Sequence, residues 1–109
     1  NNNSNGGIFL DYSNKNKIQY NNVSYNKFYF SINIGGYGIS LRMSDNNSII
    51  GNNLFYNTRN GIEMDWCEKN NLSNNSMVGC GLEIGGNYEE YISSHFIDTT
   101  NKVNGKLLF

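Results

Sequence analysis

One short pattern, glycine–apolar–any–apolar, occurs four times in the chain. It reads Gly7-Ile8-Phe9-Leu10, Gly38-Ile39-Ser40-Leu41, Gly61-Ile62-Glu63-Met64 and Gly81-Leu82-Glu83-Ile84. The glycines are 31, 23 and 20 residues apart. Eleven residues after each comes Ile18, Ile49, Leu72 and Ile92, and five residues later Val23, Leu54, Met77 and Ile97. Between these runs a column of Asn21, Asn52 and Asn75, ending in His95. Three residues after the last apolar position stand Asn26, Asn57, Cys80 and Thr100. On this reading, length varies only between that position and the next glycine.

A unit of about 22 residues cannot bury its apolar side chains alone, so equivalent positions must stack on one another. Short apolar alternations at this period predict an all-β chain: about four coils of a right-handed parallel β-helix. Neighbouring strands about 4.8 Å apart would turn equivalent residues into ladders. Period-two alternation places Ile8 and Leu10 inside, with Phe9 and Asp11 outside. Asn suits corners because it tolerates left-handed backbone and its amide can bond the Asn above and below. A leucine-rich repeat would need Leu at several fixed sites and a helical turn per unit. This chain has few Leu and no predicted helical segment.

The composition agrees. There are 23 Asn, no Ala and no Pro, which disfavours long helices. Charged residues make up 16% and the net charge is −1. No basic surplus exists to neutralise phosphates, so nucleic acid is not an expected partner. No run of 18 apolar residues is present, so no membrane insertion is expected in this segment. No secretory signal is legible. The opening Asn-Asn-Asn reads as an internal piece. The expected domain is residues 1–109, a single β-helix forming the C-terminal part of a longer one; residues 1–6 belong to a partial or missing earlier coil, and the open edge is expected to meet further coils of the parent chain or to pair with another copy.

Residues 27–37 form the one long insertion. The alternating Phe28, Phe30, Ile32 and Ile34 predict a short strand or flap, either covering apolar surface or forming a ligand-contacting lip. Cys67 and Cys80 are too few for a disulfide framework or a four-ligand zinc site. The strand between them spans roughly 20 Å, beyond the ~7 Å reach of a disulfide, so two free thiols are expected. Met64 and Met77 read as core filler, and Tyr25 and Tyr56 as an inward-stacked pair. His95 reads as a hydrogen-bonded ladder substitute. Five Asn-x-Ser sequons begin at Asn2, Asn22, Asn46, Asn71 and Asn74. These are glycan acceptors or products of an Asn- and Ser-rich composition.

Residues 38–57, Gly-Ile-x-Leu-x-x-Ser-x-Asn-Asn-x-Ile-x-x-Asn-x-Leu-x-x-Asn, resemble the NosD-type right-handed parallel β-helix repeat. Related repeats occur in carbohydrate-binding and sugar-hydrolase domains and in archaeal adhesin-like and surface-layer proteins. Residues 97–106 are similar to the segment that closes such domains. There a Pro and then Tyr usually follow Gly-Lys, whereas Leu107, Leu108 and Phe109 follow here. The resemblance implies an extracellular or cell-surface location and neighbouring coils, with a structural, adhesin-like role. It also implies that the outer face of the first strand of each coil contacts carbohydrate.

Two outward columns occupy that face: Phe9, Ser40, Glu63, Glu83 and Asp11, Arg42, Asp65, Gly85. Glu63 and Glu83 should lie close enough to repel, which raises a carboxyl pKa and suits a general acid. Arg42 between Asp11 and Asp65 would form a charge ladder. Tyr12 and Trp66 at the strand end either stack on sugars or cover a corner. Candidate ligand-binding residues are therefore Asp11, Arg42, Glu63, Asp65, Trp66 and Glu83. The bland alternative is a solvated charged surface worth little energetically. No catalytic residue is assigned, because the clustered Asp and Arg of a lyase or galacturonase are missing. A polysaccharide-cleaving enzyme using the same face stays an alternative. A periplasmic copper-delivery accessory is disfavoured, since copper favours several His, Met and Cys ligands. No metal or cofactor is expected.

Overall fold

The computed structural model describes residues 6–29 and 34–107. Coil one holds β1 (Gly6–Asp11), β2 (Lys17–Gln19) and β3 (Asn22–Ser24), followed by a hairpin of β4 (Phe28–Tyr29) and β5 (Ile34–Gly35). Coil two holds β6 (Tyr37–Arg42), β7 (Ser48–Ile50) and β8 (Asn53–Phe55). Coil three holds β9 (Asn60–Asp65), β10 (Asn71–Ser73) and β11 (Ser76–Val78). Coil four holds β12 (Leu82–Gly85), a one-turn helix α1 (Glu90–Ser93), β13 (Phe96–Ile97) and β14 (Lys102–Val103), and β15 (Lys106–Leu107) closes it.

These strands form three stacked sheets, β1-β6-β9-β12, β2-β7-β10-β13 and β3-β8-β11-β14-β15. All pairings within the coils are parallel; β15 alone runs antiparallel to β14. The chain is a right-handed parallel β-helix. Its core is the stack of inward positions: Ile39, Leu41, Ile62 and Met64 from the first sheet, Ile49 and Leu72 from the second, Leu54 and Met77 from the third, all fully buried. Each such side chain removed from water contributes roughly 1.5–3 kcal/mol. The repeated glycine marks where the first strand turns inward against the third. A Cβ on Gly38 would stand 2.7 Å from Leu54 Cδ2 and 2.5 Å from the Gly61 carbonyl oxygen.

The corners are held by buried side chains that continue the backbone ladder. The N–H of Asn21 donates to Asn52 Oδ1 at 3.0 Å, that of Asn52 to Asn75 Oδ1 at 3.0 Å, and that of Asn75 to Asn101 Oδ1 at 3.2 Å. Each amide then donates back to a strand carbonyl: Asn52 to Ile18, Asn75 to Ile49, Asn101 to Leu72, at 2.8–2.9 Å. Parallel ladders run through Asn16, Asn47, Asn70 and His95, through Asn26, Asn57 and Cys80, and through Ser13, Ser44 and Cys67. Among the described residues, no buried side-chain nitrogen or oxygen lacks a partner. Cys67 and Cys80 are free, as the strand length requires.

Several sequence expectations are corrected. The ladder residues do not themselves take the left-handed conformation. In coils one to three the residue before each one does, among them Tyr20, Tyr25, Met43, Asn46, Tyr56, Trp66 and Lys69. Tyr25 and Tyr56 do stack, with ring centroids 5.7 Å apart, but they face outward at 55% and 52% exposure. A side chain at a left-handed corner leaves the coil, so their ladder is an external one.

Coil four departs from the register read off the glycines. The connection after its first strand, residues 86–95 including α1, is longer than its coil-three counterpart, residues 66–70. The second-strand partner of Leu72 is therefore Ile97, not Ile92, and the third-strand partner of Met77 is Val103, not Ile97. Ile92 is exposed. His95 continues the Asn70 ladder instead of the Asn75 ladder, whose last member is Asn101. Thr100 accepts from the Asn74 N–H at another corner. Length thus varies before the repeat glycine, after β12 and by one residue between β13 and β14, and one helical turn does occur. The long insertion is the predicted hairpin, with Phe28 opposite Gly35 and Tyr29 opposite Ile34. Phe30, Ile32, Asn2, Leu108 and Phe109 lie outside the described residues.

Two outcomes test the ladders. Asn75→Leu strands the Asn52 N–H and the Ile49 carbonyl, and each buried unpaired group costs about 1–3 kcal/mol. Urea unfolding should show a loss of about 3 kcal/mol or more, against less than about 1 kcal/mol for Asn21→Ala at the half-exposed end of the ladder. His95 Nδ1 accepts from the Asn70 N–H at 3.1 Å and Nε2 donates to the Tyr91 carbonyl oxygen at 3.0 Å, so the ring is neutral. Burial pushes its pKa below the ordinary 6.5. A depressed folded-state pKa stabilises above the unfolded value, and that contribution is lost as pH falls through the folded value. Stability measured from about pH 7 to pH 5 should fall in the wild type, and the slope should be shallower in His95→Asn.

Candidate functional site on the first sheet

In-register stacking of β1, β6, β9 and β12 places the two outward columns side by side as the sequence spacing required. Phe9, Ser40, Glu63 and Glu83 align, as do Asp11, Arg42, Asp65 and Gly85. A third column precedes them: Gly6, Tyr37 and Asn60. Sequence reasoning missed Tyr37 and Asn60, although each stands immediately before a repeat glycine, a position legible in the repeat. Phe9, Tyr37, Ser40, Arg42, Glu63 and Asp65 line a cleft of about 580 Å³ with Gly6–Ile8 and Gly35 of the hairpin.

Glu63 is its polar centre. The Ser40 hydroxyl donates to Glu63 Oε2 at 2.8 Å, and Tyr37 lines the same cleft. The Arg59 guanidinium carbon sits 5.2 Å from the Tyr37 ring centroid, a cation–π contact. Burial pushes the Glu63 carboxyl above the usual carboxylate range; the Ser40 hydrogen bond opposes this, and the charges of Glu83 and Asp65 add to it. The expected Glu63–Glu83 repulsion is present but ranks behind burial. Asp65 is also pushed up, first by burial and then by Glu83. Glu83 is exposed and accepts from the Asn60 amide.

The charge ladder is one-sided. Arg42 Nε donates to Asp11 Oδ1 at 3.0 Å and Nη2 to Oδ2 at 3.4 Å, both near the surface. It acts on Asp65 only through space. Trp66 is half-buried, its ring 5.5 Å from that of Tyr91, which in turn lies 5.9 Å from Tyr88. The coil-four insertion therefore packs against Trp66. Tyr12 is 67% exposed. Met64 and Met77 are core residues. Among the described residues, no group of three or more His, Cys, Asp or Glu is arranged to hold a metal ion.

The raised Glu63 pKa has a measurable sign. Its contribution to stability is complete below the ordinary value near 4.5 and is lost as pH rises through the folded value. Glu63→Gln should raise the unfolding midpoint over wild type at about pH 7 and match it near pH 4, read by thermal melts across that range.

The comparisons with known proteins follow the geometry. The family model described as right handed beta helix region matches residues 1–102. No curated protein and no solved structure matches the chain. The family match spans nearly the whole repeat, and the observed coils reproduce its architecture; the chain belongs to the right-handed β-helix family.

Proposed function

We propose that this chain is a rigid, carbohydrate-binding, adhesin-like module of an extracellular cell-surface protein, of the NosD-type and archaeal surface-protein branch of its family. The observation that carries the reading is the first-sheet cleft. There an aromatic ring 60% exposed, Phe9, and the partly exposed Tyr37 flank Ser40, Glu63 and Asp65. Pyranose rings offer apolar C–H faces to aromatic rings and paired hydroxyls to carboxylates and amides, so an apolar wall with a few convergent polar groups suits them. Four carboxylates, Asp11, Glu63, Asp65 and Glu83, accompany the single guanidinium of Arg42 on the two columns. That balance favours neutral over uronate-rich polysaccharide. The exposed Asn22, Asn46, Asn71 and Asn74 of the sequons support a surface location.

A second reading has one specific observation in its favour. Glu63 holds its proton more tightly than an ordinary carboxyl, as a general acid in glycoside cleavage must. The neighbouring Asp65 or Glu83 would then act as the second carboxylate.

One experiment separates the readings. The chain is screened on a glycan array beside Glu63→Gln/Asp65→Asn/Glu83→Gln. Binding at least about tenfold weaker in the folded variant, about 1.4 kcal/mol, is the expected outcome. A folded wild type that binds nothing overturns the module. Reducing ends released by wild type but not by Glu63→Gln would transfer the face to the enzyme reading.

A further inference from the structure

We propose that the first-sheet cleft takes a glycan with free amino groups: a 2-amino sugar whose ammonium is shared by Glu63, Asp65 and Glu83 while its ring lies on Tyr37. This rests on the carbohydrate reading above and carries it from a bias against uronates to a demand for an amine. The carboxylates at the coil-three and coil-four end of the face lack a cation of their own. Arg42, the guanidinium of the two columns, is given to Asp11 at 3.0 Å. It reaches Asp65 only through space, behind burial and the charge of Glu83. Glu63 accepts a hydroxyl from Ser40. Burial and the charges of Glu83 and Asp65 hold its proton on, and no cation ranks with them. Beside Asp65 in its column stands Gly85, which has no side chain to answer it. Asp65 Oδ1 lies 2.8 Å from where a Cβ on Gly85 would stand, so only glycine leaves the carboxylate that room.

The spacing and the aromatic wall select the ligand. Among the described residues, no three His, Cys, Asp or Glu are arranged to hold a metal ion. Glu63 and Glu83 are rung neighbours, at about 4.8 Å, and Glu63 and Asp65 are alternate residues of one strand, roughly 6–7 Å apart. An ammonium has three donors and no acceptor, so it can bond carboxylates on neighbouring rungs at once. The wall is a separate observation. Tyr37 precedes Asn60 by one rung, and Phe9 precedes Glu63 by two; both line the cleft. A pyranose stacked on Tyr37 directs an amino group, one bond from its ring, toward the Ser40–Glu63 pair, and its neighbouring unit toward Phe9. An ammonium on a long alkyl chain brings no ring face to this wall and loses rotamer freedom on binding. An N-acetylated amino group is neutral and supplies no countercharge.

Titration calorimetry tests the amine with soluble probes: a glucosamine tetramer, an N-acetylglucosamine tetramer, cellotetraose and tetralysine. The pH is about 6, between the ordinary carboxylate and α-amino ranges. The glucosamine tetramer is expected to bind at least about tenfold tighter than each of the other three. In Glu63→Gln, and separately in Glu83→Gln at an exposed position, its affinity should fall toward that of the acetylated tetramer, with folding checked by thermal melts. Neutral tetramers bound as tightly as the glucosamine tetramer overturn the amine and leave the carbohydrate module standing. Tetralysine bound as tightly overturns it too, by showing attraction of charge without recognition of a sugar. Unchanged affinity in both variants places the ammonium elsewhere and has the same force. A folded chain that binds none of the probes overturns this proposal alone if a glycan on the array is bound, and the carbohydrate reading with it if none is.

Discussion

The fold depends on one bond arrangement: a buried side chain at a corner that accepts a backbone N–H from one coil and returns an amide proton to a strand carbonyl. Three-residue strands leave their ladders after a single turn of chain. The groups exposed where the chain bends would be unpaired inside the core, at about 1–3 kcal/mol each. Asn52 and Asn75 remove that cost because one carboxamide carries both an acceptor and donors and is fully enclosed. The apolar stack of Ile49, Leu54 and Leu72 can then close with no buried side-chain nitrogen or oxygen left unpartnered among the described residues. The left-handed residue before each ladder position follows from the same demand. It turns the chain sharply enough to aim the next side chain inward. Its own side chain points out, which is why rings such as Tyr25 and Tyr56 sit on the outside in a stack.

Coils one to three were legible because stacking turns a three-dimensional register into a sequence period. The spacing of Gly38, Ile49 and Leu54 repeats at Gly61, Leu72 and Met77, and the pairing follows it residue for residue. Both outward columns followed from alternation alone. Coil four was not legible. Ile92 and Ile97 satisfy the spacing by chance, while the longer connection after β12 moves the true partners to Ile97 and Val103. Apolar spacing cannot distinguish a strand residue from an exposed one in a short helix; an aligned Asn101 was the better signal. Tyr25 and Tyr56 were misplaced because an aromatic residue one position before a buried Asn reads as core, although backbone handedness decides its direction.

The candidate face gains its character from the same stacking. Columns in register force like residues together, as at Glu63 and Glu83, and they also place different columns in contact diagonally. Asn60 reaches Glu83 diagonally, while Ser40 reaches Glu63 within its own column. Glu63 therefore sits among donors as well as charges, and its proton affinity is set by burial before repulsion. The Ser40 hydrogen bond and a cleft wall distinguish it from the bidentate but solvent-facing Arg42–Asp11 pair, whose energetic worth is small.

The two insertions both open onto this face. The β4–β5 hairpin enters immediately before β6, at the start of a first-sheet strand, and residues 86–94 leave immediately after β12, at the end of one. The second and third sheets are joined by invariant short corners in coils one to three. The solenoid thus behaves as a beam with one worked edge: changes in chain length accumulate along the rims of a single face, while the rungs beneath keep their spacing. Loops of this kind can be exchanged or lengthened at little thermodynamic cost. Chain length can therefore change along the walls around the Glu63 row without moving a residue of the core.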